Sequence, residues 1–460
     1  MININGTIPS NAVLGQHLPE RSEVGIGALM PWADKLWYIT YVAHKAGSGA
    51  GGGLYSMDGD MQATLHPASV VGTYANRMIH KESNQAIIGP HLIDVDGNVR
   101  TATDLINIRI TATARHLTDP ANKVYMLGME GEFYEMDVNT LACTFLEDLS
   151  QTLSITPGRG EGQRHFKGMY SAHGRVVVVN NSYDECDHLG TKVFGRIAEW
   201  DGTAWTILER CQGLEVMGRD SIGTAIFATG VDRASAILKV FNPKGPRQGW
   251  QTYRLPKATH TQDHTVTTEW PRIREIESER WMMNVAGMFY ELPAMQYGGH
   301  VWGVRPVSTH LRIIGDFCSW RGLLVLAGDQ TPPIWDSNCY VGQPQSNLWF
   351  GKTDDLWSFG KPAGWGGPWR DTAVTAGESS DPYLMTGFEH KCLHLSVAGG
   401  GAHSFTVELD ITGEGDWQPY TTLSTATGYV CHVFPDGCSA HWVRLTSASD
   451  CTATAQLVYT

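Results

Sequence analysis

Arginine and histidine recur in this chain just ahead of short segments of alternating polarity, in Tyr74-Ala-Asn-Arg77, Arg164-His165, Val216-Met-Gly-Arg219, Trp270-Pro-Arg272 and Thr309-His310. A guanidinium fork binds a carboxylate through two parallel hydrogen bonds. An imidazole titrates near neutral pH, so it can take a proton and give it back. Gathered in one place, such groups would hold a carboxylate-bearing ligand and move a proton beside that carboxylate. The question is what brings them together.

A recurrence supplies the answer. Seven times, a short apolar run is followed after a variable gap by an aromatic or apolar residue close to an acid or a turn. The runs are Lys35–Tyr41, Gln85–Gly89, Lys123–Gly128, Arg175–Val179, Thr224–Ala228, Arg280–Asn284 and Gly322–Leu326. Their partners are Leu54–Asp58, Leu92–Asp96, Phe133–Asp137, Ile197–Asp201, Ile237–Val240, Phe289–Leu292 and Asn347–Phe350. Paired short strands at a repeat of about 50 residues are the signature of a propeller. The fold expected is all-β, a seven-bladed β-propeller over residues 1–380. The three looser late copies leave six or eight blades as alternatives. Beyond the Gly/Pro/Trp-rich stretch Lys361–Trp369, which marks a change of character, short alternating segments predict a C-terminal β-sandwich or blade extension over 385–460.

The repeat also works as a geometric filter. If the apolar runs are second strands, the channel-lining first strands precede them, and their beginnings share a face with the loops between second and third strands. On that face the sequence predicts Tyr74, Asn76, Arg77, Arg164, His165, Lys167, Arg219, Asp220, Glu269, Trp270, Arg272 and His310, with His91, Asn180, Asn181, Tyr183, Asp329 and Gln330 from the loops. His91 and His165 rank first as proton carriers. His80 and His116 sit nearer the other end of their strands. Arg164 and Arg219 are the candidate neutralising cations, and Tyr74, Arg77, Asn181, Trp270, Arg272 and His310 the candidate substrate-binding residues.

The set is basic although the chain is acidic, with 34 Lys+Arg against 47 Asp+Glu and a net charge of −13. That balance argues against nucleic acid and anionic membranes as partners. No stretch reaches the roughly 20 apolar residues of a membrane span. The opening residues do not read as a signal peptide, and nine cysteines without a regular framework read as reduced thiols, so a cytoplasmic location is expected. His260-Thr-Gln-Asp-His264 has two imidazoles and a carboxylate within reach of a divalent metal, but a surface hairpin suits it better, and no cofactor is required. Phosphate loops, nucleophile elbows and spaced cysteine pairs are missing from the sequence.

Uronic acids are the natural carboxylate sugars, and their characteristic reaction is β-elimination. A base takes the C5 proton, a cation stabilises the enolate that develops, and an acid protonates the departing O4. The expected partner is therefore a small uronate-containing oligosaccharide, bound by a monomer or small homo-oligomer. A hydrolase working in the same pit and a non-catalytic glycan- or protein-binding propeller stand as alternatives.

Several segments carry a resemblance to known enzymes. Asn76–Asn84, Arg164–Tyr170, His173–Tyr183, Trp365–Trp369, Asp381–Phe388 and His441–Leu445 resemble the seven-bladed propellers of polysaccharide lyase family 42 and glycoside hydrolase family 145. That resemblance implies an enzyme acting on a rhamnose-glucuronate linkage, as lyase or as rhamnosidase, with His80 or His91 as base and Arg164 and Arg219 as neutralisers. Ulvan-type lyases, also propellers, are a second resemblance.

Overall fold

The computed structural model of the protein describes residues 24–42, 53–155, 164–184, 187, 191–219, 225–259, 271–293, 299–311, 313–329 and 346–460. It is all-β, and among the described residues helix is confined to short pieces such as Leu149–Thr152 and Thr353–Ser358. The described residues of the seven apolar runs fall on the second strands of antiparallel sheets, and the partner segments fall on the third. The fourth sheet shows why. Val176, Val177, Val178 and Val179 are all fully buried in its second strand, Arg175–Asn180. A continuous β-branched run is what a strand covered on both faces requires. Each such side chain contributes about 1.5 to 3 kcal/mol on burial.

Five of the seven sheets have four strands in simple up-and-down order, the fifth sheet has the same four and runs on into further strands, and three strands of the seventh are described. Their first strands are Val24–Trp32, Arg77–His80, Ile110–Arg115, Phe166–Ala172, Gln212–Gly218, Arg272–Glu277 and Ile313–Trp320. Each packs on the next, and Ile313–Trp320 packs back on Val24–Trp32. Backbone and side-chain bonds stitch these neighbours: Ala75 N donates to Ile110 O at 2.9 Å, Phe166 N to Met129 O at 2.8 Å, and Leu29 N to Asp316 Oδ2 at 2.8 Å.

Register slips recur near the start of the first strands, at Gly27, Lys167, Leu214 and Gly315-Asp316. A bulge leaves ladder groups without strand partners and re-aims a side chain. Arg272, only 2 % exposed, takes up the released groups by donating to the carbonyl oxygens of Gly315 at 3.0 Å and of Gly27 and Ala75 at 3.2 Å. The strands approach so closely here that a Cβ on Gly27 would lie 2.0 Å from Tyr74 O, and one on Gly315 would lie 2.1 Å from Ile26 O.

Charge completes the junction. Arg274 bonds both Glu215 and Asp316 at 2.9 Å, and Arg77 reaches Asp316 at 3.0 Å. Burial alone would raise the pKa of Asp316, but Arg274, Arg77 and Arg272 hold it below the usual carboxylate range.

The C-terminal strands form two facing sheets around Leu393, Leu395, Phe405, Val407, Leu445 and Leu457. Lys391–Val397 alternates strictly between buried and half-buried residues, as a strand with one core face must. One sandwich sheet is a continuation of the fifth sheet, because Tyr383 pairs in parallel with Arg254. Gly364–Val374, which includes part of the Gly/Pro/Trp-rich stretch, is an eleven-residue strand paired with Cys451–Tyr459. The seven described cysteines are free thiols, and no described helix is long and apolar enough to cross a membrane.

Replacing Arg272 by Met is expected to lower unfolding stability by about 3 to 5 kcal/mol, since it leaves three buried carbonyls without their donor and removes one of the two guanidiniums that face Glu215. The control Arg321→Met, which removes a surface pair with Asp34, should cost no more than about 1 kcal/mol. Denaturant midpoints measure both, and equal midpoints would contradict this account of the junction.

Candidate functional site

The first strands enclose a cavity of about 420 Å³. Its described wall carries Arg77, Arg115, Lys167, Arg272 and Arg274 against Glu215 and Glu275, so basic groups outnumber acids in the lining. Its direction differs from expectation. Ala75, Asn76, Thr111, Lys167 and Arg272, at the beginnings of the first strands, are nearly inaccessible, whereas Ile79, Arg115, Ser171 and Glu275 near their ends are partly or well exposed. Among the described residues the cavity therefore opens on the lower face, where first strands end.

The cavity's cations are also committed to its own walls. Arg77 and Arg274 neutralise Asp316 and Glu215, and Arg115 pairs with Glu82. Arg77 and Arg272 were expected to bind substrate. Arg77 lines the cavity beside Asp316, while Arg272 braces the backbone of three first strands.

Other expected residues are corrected in the same physical terms. Tyr74 is fully buried, wedged beneath Gly72 and Gly89, and donates its hydroxyl to Ile106 O at 2.7 Å. His80 is buried and fastens a hairpin to the next sheet, with Nδ1 2.7 Å from Ser83 Oγ and Nε2 2.8 Å from Pro120 O. His91 is fully buried in the third strand of the second sheet, 2.9 Å from Thr101 Oγ1. Burial, then the nearby His66, pushes its pKa down to about 4. Neither imidazole lines the cavity. His310 follows a fourth strand instead of beginning a first strand, and its Nε2 lies 2.7 Å from Asn284 Oδ1. Arg219 lies just past the end of Gln212–Gly218, paired with Glu275 at 2.5 Å, whereas Arg164 lies ahead of Phe166–Ala172. The two arginines thus sit on opposite faces. Trp270 and the His260, Asp263 and His264 constellation lie outside the described residues.

Three predicted residues do meet, on the upper face between the third and fourth sheets. Arg164 and His165 precede the first strand of the fourth sheet, and Asn181 follows its second. The His165 amide donates to Ser182 Oγ at 3.0 Å, its carbonyl accepts from the Asn181 amide at 2.9 Å, and its ring stands edge-on to Tyr183 at 6.2 Å. The Asn181 side-chain amide is buried with neither polar atom bonded among the described residues.

Two further groups join them. Glu132, in the hairpin between second and third strands of the third sheet, has a buried Oε2 without a hydrogen-bond partner among the described residues. Gly128 makes the space, since a Cβ there would lie 2.2 Å from that oxygen. Burial raises the pKa of Glu132, Asp148 adds to the rise, and Arg109 and Arg164 oppose it. Arg109 is paired with Glu130, and burial lowers its pKa while Glu132 and Tyr183 raise it. A partly buried carboxyl with a raised pKa, facing the charges of Arg109 and Arg164 and with a phenol and an imidazole on the same face, is an arrangement suited to proton transfer beside an anionic ligand. Arg109 precedes its first strand as Arg164 precedes the next, so the repeat that located Arg164 also marks Arg109.

The depressed pKa of His91 gives a test of its structural role. The unfolded chain takes up the proton first, so His91 favours the folded state fully above pH 6.5, and that contribution is lost as pH falls towards about 4. His91→Gln should therefore flatten the loss of stability across this window, measured as denaturant midpoint against pH. Parallel curves for both proteins would contradict it.

No protein-family model and no curated protein matches the chain. Among solved structures, the chain is similar to the β-propeller domain of Cps50 (Swd1) from Myceliophteria thermophila. The identity is 11% and the TM-score 0.39, over 70% of this chain and 96% of that one.

Proposed function

We propose that the protein is a seven-bladed β-propeller that cleaves a glycosidic bond to a uronic acid by β-elimination, at the upper-face cluster of Arg109, Glu132, Arg164, His165 and Tyr183. The observation that carries this reading is Glu132, a carboxyl raised in pKa with one oxygen buried and unbonded among the described residues. The cyclic packing of seven successive first strands supports the architecture.

In the reaction, Arg109 and Arg164 receive the uronate carboxylate and stabilise the negative charge that spreads onto it as C5 loses its proton. The neutral imidazole of His165, edge-on to the Tyr183 ring, takes that proton. The C5–H electrons form the C4=C5 double bond, the C4–O4 bond breaks, and protonated Glu132 gives its proton to O4. Asn181 supplies amide donors and acceptors for sugar hydroxyls. No cofactor takes part in these steps. A second reading, hydrolysis, is favoured by the pairing of Glu132 with Asp148, whose pKa values move in opposite directions. Burial raises that of Glu132, while hydrogen bonds to Ser150 and Gln151 hold Asp148 down against its own burial.

Incubation with a panel of uronate-containing oligosaccharides, rhamnose-glucuronate among them, should generate absorbance at about 235 nm from the unsaturated product, and Glu132→Gln and His165→Gln should each lower kcat by about 10²- to 10⁴-fold. Because Glu132 acts protonated, the rate should fall as pH rises above its raised pKa, and this limb should vanish in Glu132→Gln. Sugar release without absorbance would favour hydrolysis. Binding without any turnover would leave a glycan-binding propeller and overturn the enzyme reading.

A further inference from the structure

A second cleft, of about 320 Å³, lies where the fourth and fifth sheets meet the sandwich strand Gly364–Val374. Its walls bear five basic side chains, Lys192, Arg210, Arg233, Arg254 and Arg370, against the single acid Asp232. Three of the five face carboxylates: Arg254 bonds Asp232 at 2.8 Å and Asp381 at 2.9 Å, Lys192 bonds Asp184 at 2.9 Å, and Arg233 stands 3.4 Å from Asp371. Arg210 and Arg370 have no carboxylate partner among the described residues. Arg370 donates instead to the carbonyl of Arg233 at 3.1 Å.

Arg210 and Arg370 thus give the cleft a local excess of positive charge in a protein of net charge −13. Behind the wall, Arg196 is 5 % exposed and is held by bonds to the carbonyls of Val193 at 2.9 Å and Gly195 at 2.7 Å. Burial, followed by the like charge of Arg210, lowers its pKa. Like charges held together without a counter-charge raise the local potential and attract an anion. The cleft also adjoins the upper-face cluster, because Ser182 lines it and accepts the His165 amide bond at 3.0 Å.

We infer that this cleft is a binding groove for the continuing chain of an anionic oligosaccharide, whose carboxylate or sulfate groups sit between Arg210 and Arg370. The glycan class rests on the function proposed above, and the anionic character rests on the cleft itself. Nucleic acid fits less well, since the basic surface is a bounded cleft between two domains and not a stripe along which a phosphate backbone could run.

Calorimetric titration of the full chain would use a short oligouronate, a short sulfated oligosaccharide, a neutral oligosaccharide of equal length and a short single-stranded DNA. Binding of one or both anionic glycans is expected, the two arms separating carboxylate from sulfate, with neither the neutral glycan nor DNA bound comparably. Arg210→Glu should weaken that binding by about tenfold or more, the loss of one charge-assisted contact. Arg233→Gln, a milder change in the same wall, should weaken it less. Melting temperatures of both variants should match the parent, since both side chains reach solvent. Turnover of a uronate disaccharide, too short to reach the groove, should be unchanged in Arg210→Glu, while KM for the longer substrate rises. Absence of turnover on every substrate would overturn the lyase reading and leave the titrations to decide the groove. The groove is overturned if the parent binds no anionic glycan, if DNA or the neutral glycan binds as tightly, or if Arg210→Glu binds the anionic glycan as the parent does.

Discussion

The buried guanidinium of Arg272 is the constraint from which the rest of the structure follows. Neighbouring first strands come too close near their beginnings for ordinary ladders to continue, so they bulge, and the bulges leave carbonyl groups inside the protein. A lysine could not span them, because one ammonium cannot present several fixed donors in a plane. With Arg274 and Arg77 sharing Asp316 and Glu215, this junction ties sheets from the start of the chain to sheets near residue 316. It fixes the width of the cavity and, through the cavity, the spacing of the two faces.

That junction also separates two kinds of arginine. Inside the channel, guanidiniums face carboxylates and carbonyls of the protein itself, and their charge is consumed by architecture. On the upper face and in the cleft beside the sandwich, Arg164, Arg210 and Arg370 keep more of their charge for the surroundings. Arg164 is 46 % exposed and stands 3.8 Å from Asp148, too far for a direct hydrogen bond, so its donors are left to the surroundings. Local excess of positive charge in an acidic protein is thus a property of its surface clefts more than of its centre.

Much of the strand order was legible in the sequence. Runs such as Arg175–Asn180 are apolar at successive positions, which only a doubly covered strand tolerates, and this locates second strands without reference to any loop. First strands are harder to phase, because bulges interrupt their alternation and buried charges such as Arg272 and Asp316 imitate surface residues. A shift of a few residues moved Arg219 to the wrong face and placed His310 at the head of a strand that begins at Ile313. Histidine presented a different difficulty. His80 and His91 occupy hairpins, but both ring nitrogens of His80 are taken by Ser83 and Pro120, and His91 is fully buried with Nδ1 on Thr101, placements that no local pattern reveals. Glu132 escaped notice for the opposite reason, since Met129-Glu-Gly-Glu-Phe133 reads as a tight turn, and only burial distinguishes one of its acids from the other.

The shared sheet between the fifth set of strands and the sandwich bears on how the chain is made. Gly249–Leu255 has its outer edge completed by Tyr383–Leu384, and Arg254 finds one of its two carboxylates in Asp381, 127 residues further on. At a synthesis rate of about 5 to 20 residues per second, that edge stays uncovered for roughly 6 to 25 seconds. During that interval a strand with open backbone groups is a template for another nascent chain. The polar sequence Gly249-Trp-Gln-Thr-Tyr-Arg254, half exposed along most of its length, lowers the risk of such pairing by keeping the waiting edge wet.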